Sequence, residues 1–542
     1  MALRHMALVA AFAAASISVV CGADTQIADK LKMFKLKNGM TVFVYPRKDA
    51  PVFCGMLYVD AGSAEENSGE TGIAHLLEHM AFKGTPWIGT SNWQKERPVL
   101  EQIEKTGEQL TRESNQRHPD KKRIDQLTKK LADLQQQAAQ FVVPNEYDQI
   151  VTRAGGTGVN ASTSADYTNY YMTLPSNQLE LWAMLESQRL LYPSWREFYK
   201  ERDVVAEERR MRSEDSPDGR TYEAFISTAF VAHPYRNPVI GWMSDIYNLT
   251  IKKTDDFYRR WYVPENMVAV LVGDVEPDQV HQVMNKYFGS IPAEKSPQHA
   301  STKEPRQMGE RRTVVDFPAQ PQIMVGWHKP TFPEKDAYVF EVIQYLLTRT
   351  GRSSRLYSRL VKQDGLCTDV DSFTAPGDKY PNVMMLQLIP RAPHSNAEVE
   401  RALNEEIERI KREPVTDNEM EKLRNQIDAQ FIQDLESNNG FARQLGYNYL
   451  ITRDPNVLDT MRKQMKSVTA QDIMRVAQKY LTKDNRNVVE LITAHATSAK
   501  KPEPKTPTEI RPENSSTTAT QIRQNDTPTT APQTNNPGSK AQ

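Results

Sequence analysis

Residues Gly72 to Thr85 read GIAHLLEHMAFKGT, and the reading of the whole chain starts there. The segment Ile73 to Phe82 is apolar with a helical spacing, so a helix is expected across it. His75 and His79 stand four apart, one turn above each other, and Glu78 emerges close by on nearly the same face. Two neutral imidazole nitrogens and one carboxylate from elsewhere make a zinc donor set with a position left open. Glu78 is then free to take a proton from water. The order HxxEH inverts HExxH and places the same groups. Only ten histidines occur in the chain, so chance is a poor explanation of the pattern.

Upstream, Leu36 to Tyr45 (LKNGMTVFVY) predicts a tight turn at Asn38-Gly39 and then a strand, and Val52 to Val59 a second strand. The Gly-rich, acidic stretch from Ala61 to Gly72 predicts the loop that leads into the motif helix. Downstream, Leu100, Ile103, Gly107 and Leu110 keep a three-four spacing. After Pro119 the series Ile124, Leu127, Leu131, Leu134, Ala138 and Phe141 repeats it. Two helices with narrow apolar seams predict an antiparallel hairpin over about 94–142, read as a surface insertion packing mostly on itself, with a docking arm or lid as the alternative.

Strand character returns at Gly155 to Leu174, where the Thr/Tyr-rich run suits a pleated surface. Helices are expected from Asn177 to Leu190, from Trp195 to Met211 and from Glu276 to Phe288, with a buried strand at Asn266 to Gly273. The helix EFYKERDVVAEERRM offers Glu197, Glu201, Glu207 and Glu208 as third metal ligands. Glu201 and Glu208 share a face and Glu207 is rotated by about 100° from Glu208; spacing alone does not choose among them.

Residues Ile291 to Arg311, rich in Pro, Lys, Gln and Ser, predict a linker, placed at 296–313. Beyond it the order of elements repeats: TNYYMTLPSNQLELWAMLESQRL and NVMMLQLIPRAPHSNAEVERALNEEIERI both run from a strand through a Pro-containing turn into a helix. The fold class expected is α+β, with two similar domains, each a mainly antiparallel sheet packed with helices.

The chain has 542 residues, enough for more than one core. Its 68 Lys+Arg nearly cancel 69 Asp+Glu, which removes the field of a nucleic-acid binder or polybasic membrane binder. Residues 1–23, with Arg4 and His5, an apolar run from Met6 to Val20 and a small-residue end at Ala23, read as a secretory signal. The protein is therefore expected to be exported, periplasmic or secreted, with no membrane span after cleavage. Cys54 and Cys367 then remain, expected buried and unpaired. Residues 498–542, rich in Lys, Pro, Thr, Asn, Gln and Ser, have almost nothing to bury and predict a disordered polar tail.

GIAHLLEHMAFKGT at Gly72 to Thr85, NAST at Asn160 to Thr163, ERDVVAEE at Glu201 to Glu208 and NMVAVLVGDV at Asn266 to Val275 together resemble the pitrilysin or insulinase family of inverted-motif zinc metallopeptidases, and especially its processing-peptidase branch. The resemblance covers residues 30 to 497. It implies His75, His79 and Glu208 as ligands of one zinc ion per chain, Glu78 as catalytic base, and Glu201 as an acidic residue supporting the site from behind. It implies Asn160 and Ala161 on an exposed sheet edge that a peptide substrate joins; the simpler reading of Asn160 is a strand-end turn.

Residues 27–295 become the zinc-bearing peptidase domain and 314–497 a copy without catalysis, whose SSRLYSRLVKQDGL lacks HxxEH. There Arg355 and Arg359 are expected to cap and solvate a helix rather than bind a peptide carboxylate. The second His lies 129 positions before Glu208, about fifty more than this branch usually shows, and the hairpin accounts for the excess. The implied activity is zinc-dependent endopeptidase action on peptides or unfolded segments. One chain supplies two of the four domains of the family's chamber, so a homodimer or a heterodimer with a non-catalytic family member is expected. The alternative is a catalytically silent or scaffold subunit, against which the intact HxxEH and both downstream glutamates speak.

Overall fold

The protein is described by a computed structural model covering residues 26–493; the signal at 1–23 and the tail at 498–542 lie outside the described residues. Strands β1 (Lys32–Lys35), β2 (Thr41–Pro46), β3 (Val52–Val59), β4 (Thr157–Thr163), β5 (Thr168–Pro175) and β6 (Met267–Gly273) form one sheet in the order β1-β2-β6-β3-β5-β4. Strands β7 (Arg311–Phe317), β8 (Gln322–Lys329), β9 (Cys367–Ala375), β10 (Asn382–Pro390) and β11 (Arg486–Thr493) form the other, in the order β7-β11-β8-β10-β9.

With β1 set aside the two orders coincide strand for strand. The β2/β6 and β7/β11 pairs are parallel, and the other pairs in both sheets antiparallel. The repeat read from the strand-turn-helix segments is thus a duplicated topology.

The first half carries α1 (Ile73–Met80), α2 (Trp93–Ser114), α3 (Lys121–Ala139), α4 (Leu179–Leu191), α5 (Phe198–Arg209), α6 (Pro217–Ala229), α7 (Ile251–Trp261) and α8 (Pro277–Phe288). The second carries α9 (Lys335–Gln344), α10 (Asn396–Arg412), α11 (Asp417–Glu436), α12 (Asn438–Thr452) and α13 (Ala470–Tyr480). Strand β3 shows why its sequence reads as one apolar run. Phe53, Leu57 and Val59 enter a core shared with the motif helix α1, while Cys54, Met56 and Tyr58 point the other way and are equally buried.

That second face is covered by the other half. Phe441, Leu445 and Tyr449 of α12 pack on Phe43, Tyr45 and Val270, with Tyr45 stacked on Phe441 at 4.2 Å between ring centres. Reciprocally, Phe225, Ile226 and Ala229 of α6 pack on Met324, Met385 and Val489 of the second sheet. Each fully buried side chain of this size contributes about 1.5–3 kcal/mol, so the exchange joins the halves firmly.

The helical hairpin forms as α2 and α3, which pack mostly on each other and are also tied to the core of the first half. Leu100, Ile103, Leu131, Leu134 and Ala138 belong to the same core as the motif helix. Glu96 is buried in an ion pair with Arg196 at 2.6 Å. Gly107 lies against Tyr199, so tightly that a Cβ would fall 1.7 Å from the phenol oxygen. A periodicity argument sees only the apolar seam; the anchoring falls to a charge and a glycine, which carry no periodic signal.

The linker is extended and pinned at several points: the Ser296 N–H donates to Glu265, His299 meets Glu65, and the Glu304 carboxylate accepts the N–H groups of Val231, Ala232 and His233. Strand β7 begins at Arg311, inside the stretch whose composition reads as linker. Among the described residues no helix is long and apolar enough to cross a membrane.

Candidate metal centre

Helix α1 is held at its start by Glu66, whose buried carboxylate accepts the N–H groups of Gly72 and Ala74, both at 2.9 Å. A carboxylate at a helix N-terminus answers orphan donors and the helix dipole together. One turn apart on this helix, His75 and His79 turn their Nε2 atoms toward Oε2 of Glu208, at 3.8 and 3.4 Å. One donor atom from each of His75, His79 and Glu208 lies within 4.8 Å of the others. Tetrahedral ligands at about 2.0–2.2 Å from zinc stand roughly 3.3–3.6 Å apart, and this nitrogen, nitrogen and carboxylate set matches that donor chemistry at a somewhat wider spacing.

Helix α5 separates its four glutamates by direction. Glu208 faces the imidazoles. Glu201, two turns earlier, brings Oε2 to 3.5 Å from Nδ1 of His79 and Oε1 to 2.5 Å from Nζ of Lys83. Glu197 pairs with Lys83 and Lys200, and Glu207 turns to solvent against Arg210. Of the four ligand candidates, only Glu208 belongs to the metal-capable group among the described residues.

The three groups differ in protonation. Burial pushes the His75 imidazole down to about 3, so it is neutral with a lone pair to give. Burial would lower His79 too, but the Glu201 and Glu208 carboxylates on either side outweigh it and raise the ring to about 10. Against its own burial, Glu208 is held down to about 2 by the two imidazoles and Arg212, whose guanidinium lies 2.8 Å from Oε1. Glu78 is raised by burial, against the pull of His79 and of Thr163, whose hydroxyl donates to Oε2 at 2.6 Å.

Asn160 and Ala161 lie on β4, the last strand of its sheet. The Asn160 side chain accepts the Ala161 N–H at 2.9 Å. Arg355 and Arg359 sit among Glu419, Glu406, Glu405 and Asp364, and pair helices together. Cys54 and Cys367 are free and buried, with burial pushing both thiols up to about 12.

Sequence reasoning missed Thr163, Lys83, Arg212 and Glu66. Thr163 closes the quoted NAST segment and Lys83 stands four residues after His79, a helical spacing that could have drawn notice. Arg212 stands four residues after Glu208, the same spacing, and Glu66 gave no local signal.

Residues 43–118 match the family description "Insulinase (Peptidase family M16)", and residues 248–427 match "Peptidase M16 inactive domain". Over 461 residues the chain is 32% identical to zinc protease PqqE of Helicobacter pylori, covering 82% of this chain and 89% of that protein. The chain belongs to peptidase family M16. A solved relative, a protease from Helicobacter pylori, superposes with a TM-score of 0.71 at 28% identity, covering 85% of this chain and 99% of that one. The periplasmic protease PqqL of Escherichia coli, 17% identical with a TM-score of 0.63, shares the fold. There 91% of this chain covers 52% of PqqL, so that protein is about twice as long.

Proposed function

We propose that the protein is a zinc-dependent endopeptidase acting on peptides or unfolded protein segments, with one zinc ion held by His75, His79 and Glu208. The observation that carries this reading is the convergence of those three donors beside a buried, hydrogen-bonded Glu78. Zinc supplies Lewis acidity, which brings water into the neutral pKa range and polarises a carbonyl. His75 and His79 offer Nε2, and Glu208 offers Oε2. Glu201 accepts the Nδ1 proton of His79, fixing the tautomer that leaves Nε2 bare. Glu78 takes the proton of the attacking water and hands it to the departing amine, a task suited to a carboxylate raised by burial.

Substrate joins β4 as an added strand. Asn160 satisfies the Ala161 N–H until a peptide carbonyl replaces it. The corresponding edge of the second sheet, β9, exposes Asp369 and Asp371, charges that deter strand addition; β4 carries none. A segment already paired within a folded sheet cannot add to this edge.

Two further expectations belong to the same reading. Export to the periplasm or outside the cell rests on the apolar run from Met6 to Val20 and agrees with the location named for PqqL. Association with a second chain, a copy of itself or a silent family member, is suggested by PqqL's doubled length.

The test is direct. Purified protein should carry about one zinc per chain and cleave unfolded peptides; Glu78→Gln should keep the zinc and lose turnover by several orders of magnitude. A metal-free preparation that still cleaves would sink the mechanism.

A further inference from the structure

We propose that Lys379, in the second half, is a positioning residue for the metal centre and base of the first, so that the half without HxxEH holds the motif in its working geometry. This rests on the peptidase reading above.

Residues 376–381, PGDKYP, join β9 to β10 and dock on the β4–β5 turn and the loop 60–65 of the first half. Gly377 permits the approach, since a Cβ there would stand 2.2 Å from the Asp166 carboxylate. The N–H groups of Asp378 and Lys379 donate to Oδ2 of Asp166 at 2.7 and 3.1 Å. Asp166 sits in the β4–β5 turn, three residues after Thr163, whose hydroxyl holds Glu78.

The Lys379 side chain reaches further. Its Nζ lies 2.7 Å from Oδ1 of Asp60 and 3.9 Å from Oε1 of Glu65, two carboxylates exposed by only 1% and 2%. Loop 60–66 is zipped to the β4–β5 turn: Ser63 N–H donates to the Ser164 carbonyl at 3.1 Å and Ala64 N–H to that of Ala165 at 2.9 Å. The loop ends on Glu66, the carboxylate that caps α1. One lysine and its turn therefore touch both segments that aim Glu78: the strand that bonds its carboxylate and the cap that sets its helix.

Adhesion between the halves does not need this cluster, because α6 and α12 supply it through apolar packing. Nor does Lys379 carry the local charge balance alone. Arg453 also pairs with Asp60, and His299 lies 2.9 Å from Glu65 and 3.0 Å from Lys379. Removing the ammonium thus takes away a tie across the halves while the loops keep other partners. Misplacing a base by about 1 Å lowers turnover about 100-fold, so a modest slackening should be visible in kcat.

The experiment uses the full chain, reading kcat and KM on an unfolded peptide, zinc content and melting for wild type, Lys379→Met, Lys379→Arg, Thr163→Val, the Lys379→Met/Thr163→Val double variant and Glu78→Gln. Lys379→Met should stay folded with its zinc and lose kcat about 10-fold or more with KM nearly unchanged, and Lys379→Arg should recover most of it. The double variant should be no slower than its slower parent, because both act through Glu78. Wild-type kcat in Lys379→Met, or losses that simply multiply in the double variant, overturns the role. If Lys379→Met does not fold, Asp60→Asn cuts the same tie from the other side under the same expectations. Equal cleavage by wild type and Glu78→Gln would bring down the peptidase reading and this role with it; an inactive Glu78→Gln beside a fully active Lys379→Met removes this role alone.

Discussion

The hydroxyl of Thr163 lies 2.6 Å from Oε2 of Glu78, joining the edge strand β4 to the motif helix across 85 positions of sequence. The second half repeats the arrangement in its own elements. Thr374, on the edge strand β9, reaches Oε1 of Glu341 on α9 at 3.4 Å. There the carboxylate faces cations of the chain itself, with the Arg349 guanidinium at 2.9 Å and the Lys329 ammonium at 3.7 Å. Where one half gathers donors for a metal, its duplicate supplies the positive charge from within.

Removing the Thr163 hydroxyl should leave the metal donors alone and free the base. Thr163→Val is expected to retain its zinc and to lose about 10-fold in kcat, the scale of one aligning hydrogen bond in a transition state. Steady-state kinetics beside metal analysis check this; an unchanged kcat would show that Glu78 needs no such support.

The directions taken by the glutamates of α5 separate three variants. Glu208→Gln should abolish stable zinc binding. Glu201→Gln should weaken zinc about 10- to 100-fold by loosening His79. Glu207→Gln, on the solvent side, should bind like wild type. Competition with a chelator ranks the three, and equal affinities for the first and last would refute the ligand assignment.

Gly107→Ala probes the hairpin as a brace. A methyl group has no room beside Tyr199, two residues before Glu201. Overpacking of this kind costs about 1–3 kcal/mol, read as a fall in urea midpoint. Because the strain falls on α5, zinc affinity should drop as well, which a free surface insertion would not produce.

A fourth expectation concerns pH. The Arg355 guanidinium, 2.8 Å from Glu419, holds that carboxyl down to about 2, below the ordinary carboxylate range. A depressed folded value means that the pair stabilises the protein fully above the unfolded pKa of about 4.5 and loses the contribution as pH falls toward about 2. With Glu419 partly exposed, about 1–2 kcal/mol is expected. Glu419→Gln should unfold earlier in urea at pH 7 by that amount, with the gap narrowing from pH 5 to pH 3; a gap constant with pH would assign the effect to the helix cap.

The motif helix was legible because His75, Glu78 and His79 lie within one turn, where spacing fixes direction. The duplication was legible from one strand-turn-helix segment in each half, while the other strands of the second sheet gave no repeated signal. Spacing within α5 left Glu197, Glu201, Glu207 and Glu208 open, since the rotation of a helix about its axis is set by what it packs against, here chiefly the motif helix α1 and the short helix Met243–Asn248. The partners of Glu78, Glu96 and Asp60 come from 85, 100 and 319 positions away. No local pattern encodes such pairs.

The crossing of α6 and α12 between the sheets bears on how this chain can be divided. A protease nick within residues 292–305 would sever the backbone yet leave two fragments that co-elute, each sealing an apolar face of the other. Expressed alone, residues 27–295 would present Phe43, Tyr45, Met56 and Val270 to water and aggregate. Anyone isolating the histidine-bearing piece must bring the segment 435–458 along with it.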